Sequence, residues 1–333
     1  MILVTGGAGY VGSHMVLALA ESGYDVVIFD NLETSSQAAI EVFNKIKLRG
    51  TVEFFRGDLR NQDDLRLVFK KYRFEAVMHF AAYIQVYESV IDPKKYYNNN
   101  VVGTANLLEV MIENGVNRLI FSSTAAVYGN AENSIVDETS TLCPQSPYGS
   151  SKMMAEKIMD DYGQAYGLKS VRFRYFNVVG ADEHSRIGER HLPETHLVPR
   201  VIKAVLAGEE FELYGDNYQT VDGTCVRDYI DIYDLVNAHI LGLRHLSSTN
   251  TSEIFNLGTG VGNTVKEVLA SCFQTMGQSV PIVVKPRRAG DPDVLVASNS
   301  KAKRVLGWNL QKGLKDSIKT AYNWEQKMFA NGI

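Results

Sequence analysis

The chain has 333 residues, 45% hydrophobic and 22% charged, with a formal net charge of −4. That length can bury a sizeable core, as one large domain or two modest ones, and the composition is that of a soluble globular protein. The mildly acidic balance leaves no basic face for nucleic acid, and the three separated cysteines, Cys143, Cys225 and Cys272, offer neither a disulfide framework nor a cysteine zinc site.

Residues 2–5 form a short β-type run ending in glycines, and residues 11–22 have helical spacing that stops at Gly23. Further strands are predicted over 25–29, 52–56, 75–80, 118–122, 168–176 and 254–257, with amphipathic segments over 63–72, 99–114 and 148–166. This alternation predicts an α/β fold of βαβ units, a parallel sheet with helices on both faces. Beyond Asn177 the rhythm breaks. A polar loop is expected over 182–199, a helix over 199–206, a short strand over 212–214 and a loop over 215–224. A helix over 264–276, an extended run over 280–285 and a helix over 313–330 complete the reading. The expected division is residues 1–177, rejoined by the strand near 254–257, and a smaller mixed α/β domain over 178–333 with an interleaved boundary. The first strand begins almost at Met1, and no apolar run approaches the ~20 residues that span a bilayer. With cysteine usage that fits a reducing compartment, a cytoplasmic protein with no membrane partner is expected.

The stretch from Thr5 to Gly12 follows a strand and opens a helix. Gly6, Gly9 and Gly12 satisfy one phosphate-turn pattern, and Gly7, Gly9 and Gly12 another. Glycines permit a tight turn and close approach of a pyrophosphate, and the helix start supplies free N–H groups and partial positive charge. Asp30 ends the second strand, where a carboxylate accepts bonds from a ribose and repels a 2′-phosphate, so the expected cofactor is NAD rather than NADP. Asp58, ending the third strand, suits either the adenine amino group or a cap of the helix entered near Asn61. Phe80 and Ala81 lie where small residues let backbone approach a cofactor, and ordinary strand-end packing fits them equally.

Ser122, Ser123 and Thr124 end the fifth strand, where ligands of doubly wound sheets bind. Downstream stand Tyr148 and Lys152, four apart on one helix face. One positive charge about 6 Å from a phenol, at an effective dielectric near 20, is worth roughly 3 kcal/mol, or about 2 pKa units below the usual value near 10. An oxidised nicotinamide is a second such cation. The pair therefore predicts a base that draws a proton from an alcohol while hydride leaves for the cofactor, with the Thr124 hydroxyl as relay. His184, His191 and His196 do not share a helix face and have no cysteine near, so no metal is predicted.

In these motifs the chain resembles the extended short-chain dehydrogenase/reductase family, and within it the UDP-sugar 4-epimerases. The likeness runs through Gly6 to His14, Asp30-Asn31-Leu32, Gly57 to Arg60 and His79 to Ala82. It continues through Ser122-Ser123-Thr124, Pro147 to Lys152, Arg174 to Asn177, Val226 to Ile230 and Arg287-Arg288 with Gly290-Asp291. The resemblance implies a Rossmann-type doubly wound sheet with a smaller substrate-binding domain, NAD as cofactor, a UDP-sugar as substrate and a homodimer. It implies 4-epimerisation of a UDP-hexose (UDP-glucose/UDP-galactose) by transient oxidation at C4, rotation of the 4-keto sugar and hydride return. Other 4-epimerisations (UDP-GlcNAc/UDP-GalNAc, UDP-glucuronate, a UDP-pentose) are the alternatives, then a dehydratase, against which Ala125 and Ala126 supply no acid.

By the same likeness Tyr148, Lys152 and Thr124 are catalytic. The cofactor would meet Gly6, Gly9, Tyr10, Val11, Gly12, Asp30, Asn31, Asp58, Leu59, Phe80, Ala81, Asn99, Ser122, Tyr148, Lys152 and Tyr175. The substrate would meet Thr124, Tyr148, Asn177, His196, Leu197, Tyr214, Arg227, Arg288 and Asp291; an arginine fork suits a diphosphate. Two residues depart from the family pattern: Ile84 replaces a lysine that reaches the cofactor, and Tyr87 replaces a glycine. Leu295 aligns with a position whose bulk gates N-acetylated sugars; alternatively it is core. Leu107, Met111 and Met154 would lie between subunits or on their own sheet.

Overall fold

The computed structural model describes residues 1–131, 133–191, 193–287 and 292–332. Its largest layer is a seven-stranded sheet in the order Glu253–Leu257, Lys169–Tyr175, Arg118–Thr124, Ala76–His79, Ile2–Thr5, Val26–Asp30, Val52–Arg56. Every neighbouring pair in it is parallel. The strands Ile2–Thr5, Val26–Asp30 and Ala76–His79 are buried at every position, as a sheet covered on both faces requires. Alternation divides their side chains between two cores. Ile2, Val4 and Ile28 join one with Met15, Leu235, Phe255 and Trp308. Leu3, Val27 and Val77 join the other with Phe69, Leu107, Met111 and Met159. Leu107 and Met111 therefore pack on their own sheet, whereas Met154 is 42% exposed.

The chain runs outward from Ile2–Thr5 through two strands, then returns to place Ala76–His79 on the other side of Ile2–Thr5. This reversal opens a crevice at the carboxyl ends of those two strands, the ligand position of doubly wound sheets.

The remaining strands form smaller sheets. Val226–Asp231 pairs with Gly262–Thr264, Val294–Ala297 and Asn177–Val179, and Val294–Ala297 pairs in turn with Ile135–Val136. Phe211–Tyr214 pairs with Ile282–Lys285. A third core of Val198, Val201, Ile202, Phe211, Leu269 and Ile318 joins the helices Leu197–Ala207, Val265–Met276 and Leu314–Ala330.

Local chemistry explains where the elements differ from the sequence expectation. The helix expected at 199 begins at Leu197, with Pro199 in its first turn, where the missing N–H has no intrahelical partner to lose. The segment 99–114 is not uniform: a π-helical turn, Tyr97–Val102, leads into the helix Gly103–Glu113. The helix Ile232–Thr249, which the periodicity did not reveal, is capped by Asp231, whose Oδ1 accepts from the Tyr233 N–H at 2.7 Å. Leu235, Val236, Leu243 and Leu246 of that helix join the core of the seven-stranded sheet. Among the described residues no helix is long and apolar enough to cross a membrane.

Candidate active site

The glycine turn is shaped by what cannot fit there. Gly6 has φ +69°, and a Cβ on it would fall 2.5 Å from the Ala81 nitrogen. A Cβ on Gly12 would fall 2.0 Å from the Gly6 carbonyl oxygen. Backbone thus packs against backbone across the crevice, and Ala81 owes its position to the strand pairing continued by Phe80 N–H to Thr5 O, 3.0 Å. The helix Tyr10–Glu21 starts at Gly9 with no side-chain cap, so its first N–H groups and dipole face the crevice. The Tyr10 hydroxyl donates to Gly180 O at 2.6 Å, which leaves the backbone of Tyr10, Val11 and Gly12 for a phosphate. A cradle without side chains at a helix start fits a dinucleotide pyrophosphate.

Asp30 ties the turn to the next loop. Its carboxylate accepts from Ala8 N–H at 3.1 Å, Leu32 N–H at 2.9 Å and the Ser35 hydroxyl at 2.8 Å. Asp58 accepts from Arg60 Nε at 2.8 Å and Asn31 Nδ2 at 2.9 Å, and the Arg60 guanidinium beside it lowers its carboxyl to about 2. It does not cap the following helix; Asn61 does, through Asp63 N–H at 3.1 Å. Leu59 is buried beside it.

Tyr148 and Lys152 lie in the helix Pro147–Tyr166, capped by the Ser146 hydroxyl and entered through Pro147. The first turn is fastened by Ser151, whose hydroxyl donates to Tyr148 O at 2.7 Å and accepts from Asn100 Nδ2 at 3.1 Å. Asn100 and Asn99 both belong to the π-helical turn, and Asn99 donates to Asn100 Oδ1 at 3.0 Å. Tyr83 and Tyr96 pack beside Tyr148, with Ile84 against them. The Thr124 side chain lies beside the Tyr148 phenol and draws its pKa down, while Thr124 Oγ1 accepts from the Ala126 N–H at 3.1 Å. Lys152 Nζ donates to Ser122 O at 2.8 Å and sits 4.8 Å from the centre of the Phe121 ring. The Ser122 hydroxyl bonds the Tyr175 hydroxyl.

The electrostatics correct one expectation. Lys152 does not by itself bring the phenol down. Burial raises the Tyr148 phenol, and the neighbouring Thr124 side chain offsets this only in part. Burial also lowers Lys152 to about 7, against the attraction of Glu156. Desolvation outweighs a single neighbour when both groups leave water together.

On the substrate side, Asn177 Nδ2 donates to Asp228 O at 3.2 Å, on the strand that carries Arg227. Arg227 stands opposite Leu295 in the register. Leu295 is buried with Ala125 and Phe176. Tyr214 ends its strand with its hydroxyl on Glu212 Oε2 at 2.8 Å. Leu197 opens its helix with His196 as cap residue. The His196 imidazole is turned to Glu189 and Glu194, at 2.8 and 3.1 Å, so the helix start rather than this ring is free to meet a phosphate. Tyr87 is 79% exposed. Arg288 and Asp291 lie outside the described residues. The sequence reading missed Glu156, which the spacing Tyr148, Lys152, Glu156 places on the same helix face.

Residues 3–321 match the family model of GDP-mannose 4,6 dehydratase. The UDP-glucose 4-epimerase of Halalkalibacterium halodurans is 44% identical over 328 residues, spanning 98% of this chain and 96% of that protein. This chain belongs to the UDP-glucose 4-epimerase family. Solved structures agree with that placement. The UDP-glucose 4-epimerase from Brucella ovis in complex with NAD has a TM-score of 0.90 at 42% identity, covering 97% of each chain. The UDP-glucose 4-epimerase from Bifidobacterium longum in complex with NAD+ and UDP has a TM-score of 0.93 at 37% identity, covering 100% of this chain and 99% of that one. Membership places the chain within the extended short-chain dehydrogenases and accounts for the seven-stranded Rossmann layer.

Proposed function

We propose that the chain catalyses NAD-dependent 4-epimerisation of a UDP-hexose, interconverting UDP-glucose and UDP-galactose. One observation carries the reading: Thr124 at a strand end stands beside the buried Tyr148 phenol, with Lys152 buried one helical turn further on, next to a glycine cradle that suits a dinucleotide. NAD held by the glycine cradle would supply a hydride acceptor and donor for C4 and, when oxidised, a positive charge. Tyr148 takes the 4-hydroxyl proton with Thr124 aligning it, then gives it back. Lys152 holds the ribose and keeps positive charge beside the phenolate. Asn177, Arg227, Arg288, Asp291, Tyr214 and the helix start at Leu197 take the UDP moiety.

A dehydratase outcome is disfavoured because Ala125 and Ala126 follow Thr124, so the adjoining turn brings no carboxylic acid to the sugar. We assign residues 1–177, together with the strand near 254–257, to NAD, and the remainder to the UDP-sugar. We also assign a homodimer in which the outer faces of the helices Gly103–Glu113 and Pro147–Tyr166 pack between subunits. Among the described residues Cys143 and Cys272 form no disulfide, which accords with the cytoplasm. The test is incubation with UDP-glucose, UDP-GlcNAc and UDP-glucuronate without added oxidant. C4-inverted sugar with no loss of water or carbon supports the reading; a 4-keto-6-deoxy product or no turnover overturns it. Turnover of UDP-GlcNAc would assign Leu295 a permissive role in the sugar pocket.

A further inference from the structure

The polar loop before the helix Leu197–Ala207 gathers two histidines and two glutamates at one point. One donor atom from each of Glu189, His191, Glu194 and His196 lies within 4.8 Å of all the others. His196 Nδ1 is 2.8 Å from Glu189 Oε1 and 3.1 Å from Glu194 Oε1. His191 Nδ1 is 3.1 Å from Glu189 Oε1 and 3.9 Å from Glu194 Oε2. Both rings thus turn the same nitrogen toward the two carboxylates, and their centres are 5.0 Å apart.

A second observation points to a ligand. The Glu194 side chain is only 6% exposed, and its Oε2 is buried with no hydrogen-bond partner. Its Oε1 is fixed by the N–H groups of Thr195 and His196, both at 2.8 Å. The carboxylate is therefore held with its bare oxygen toward His191. Lys203 Nζ, at 4.0 Å, stands beyond hydrogen-bond reach. A buried carboxylate oxygen without a donor is costly, and an ion is one of its remedies.

We infer that Glu189, His191, Glu194 and His196 form a binding site for one divalent cation, with Zn²⁺ the best match. Two imidazole nitrogens and two carboxylate oxygens are donors zinc accepts. Bonds of about 2.0–2.1 Å in a tetrahedron put neighbouring donors about 3.3 Å apart, which is the scale of the separations here. An access route exists: Glu189 and Glu194 line a cavity of about 670 Å³ together with Lys203 and Glu325. That cavity includes none of Thr124, Tyr148 and Lys152, so the cation is structural. It clips the loop to the helix start at Leu197, while Trp324 Nε1 anchors Glu189 O at 2.9 Å from the other side. Helical spacing could not reveal the site, because its ligands lie at i, i+2, i+5 and i+7 of an irregular loop.

The NAD-loaded enzyme, dialysed against a chelator and titrated with zinc sulfate alone, tests this. Bound metal is read by plasma mass spectrometry after desalting, and unfolding temperature by calorimetry. The expected result is stoichiometric Zn²⁺ with a raised unfolding temperature. In His191→Ala and Glu194→Gln, affinity falls by about two orders of magnitude and the thermal gain disappears, while NAD content is unchanged. Glu194→Gln preserves size and the Oε1 acceptor, so it decides alone should His191→Ala fail to fold. No retained zinc in the wild type, or equal zinc binding in the folded variants, overturns the inference and leaves an imidazole–carboxylate ion-pair network.

Discussion

Arg174 and Glu156 close on each other as a bidentate pair, Nε to Oε1 at 3.0 Å and Nη2 to Oε2 at 2.6 Å, with side chains 3% and 5% exposed. Glu156 also accepts from the Ser123 hydroxyl, and Arg174 Nη1 donates to the Tyr128 hydroxyl at 3.1 Å. The pair thus braces the hydroxyl run from below. Replacing one partner strands the other charge in the core, and Arg174→Met is expected to cost about 3–5 kcal/mol. The double variant Glu156→Met/Arg174→Met should cost less than the sum of the single variants. Urea unfolding of all three variants checks both statements; simple additivity would remove the coupling.

Tyr148→Phe removes the proton carrier and keeps the ring. Turnover of UDP-glucose is expected to fall by about 10²–10⁴-fold. NAD content should be retained and stability change by less than about 1.5 kcal/mol. A variant that keeps more than a tenth of wild-type kcat would exclude Tyr148 as the base.

Lys152→Met tests the charge. Lys152 is lowered to about 7 by burial, so its positive charge is at stake near neutrality. A cation about 6 Å from a phenol, at an effective dielectric near 20, is worth at most about 2 pKa units. The ascending limb of kcat/KM should then move to the alkaline side by up to about two pH units. An unmoved limb with reduced kcat would assign Lys152 to ribose binding alone.

Asp231, the cap of the helix Ile232–Thr249, gives a stability test. Burial raises its carboxyl from an ordinary 3.8 to about 6, while the Ser317 hydroxyl and the Tyr233 N–H pull the other way. Between about pH 4 and 6 the folded chain therefore holds a proton that the unfolded chain has released, and stability falls as pH rises through that window. Asp231→Asn keeps an acceptor for the helix cap and cannot ionise. Its stability relative to wild type should increase across the window by up to about 3 kcal/mol, an upper bound for a pair of pKa values some two units apart. Parallel pH–stability curves would refute the assignment.

Glycines, the Asp30 strand end and the Tyr148–Lys152 spacing were legible because each records a local constraint: a forbidden Cβ, a strand terminus, a helix face. The sign of the Tyr148 shift was not, because desolvation depends on everything packed around a group, including Tyr83 and Tyr96 from a distant segment. The helix Ile232–Thr249 was hidden by polar and histidine positions that its tertiary packing buries; His239 is wholly buried there, with its Nδ1 bonded to Leu235 O. Glu189 and Glu194 escaped notice because an irregular loop has no period to read.

Trp308 is wholly buried in the same core as Ile2, with its indole N–H on Asp234 O at 2.9 Å. Ribosomal synthesis delivers Ile2 long before Trp308. The nascent amino-terminal layer consequently waits with part of that core unfilled until Trp308 has emerged.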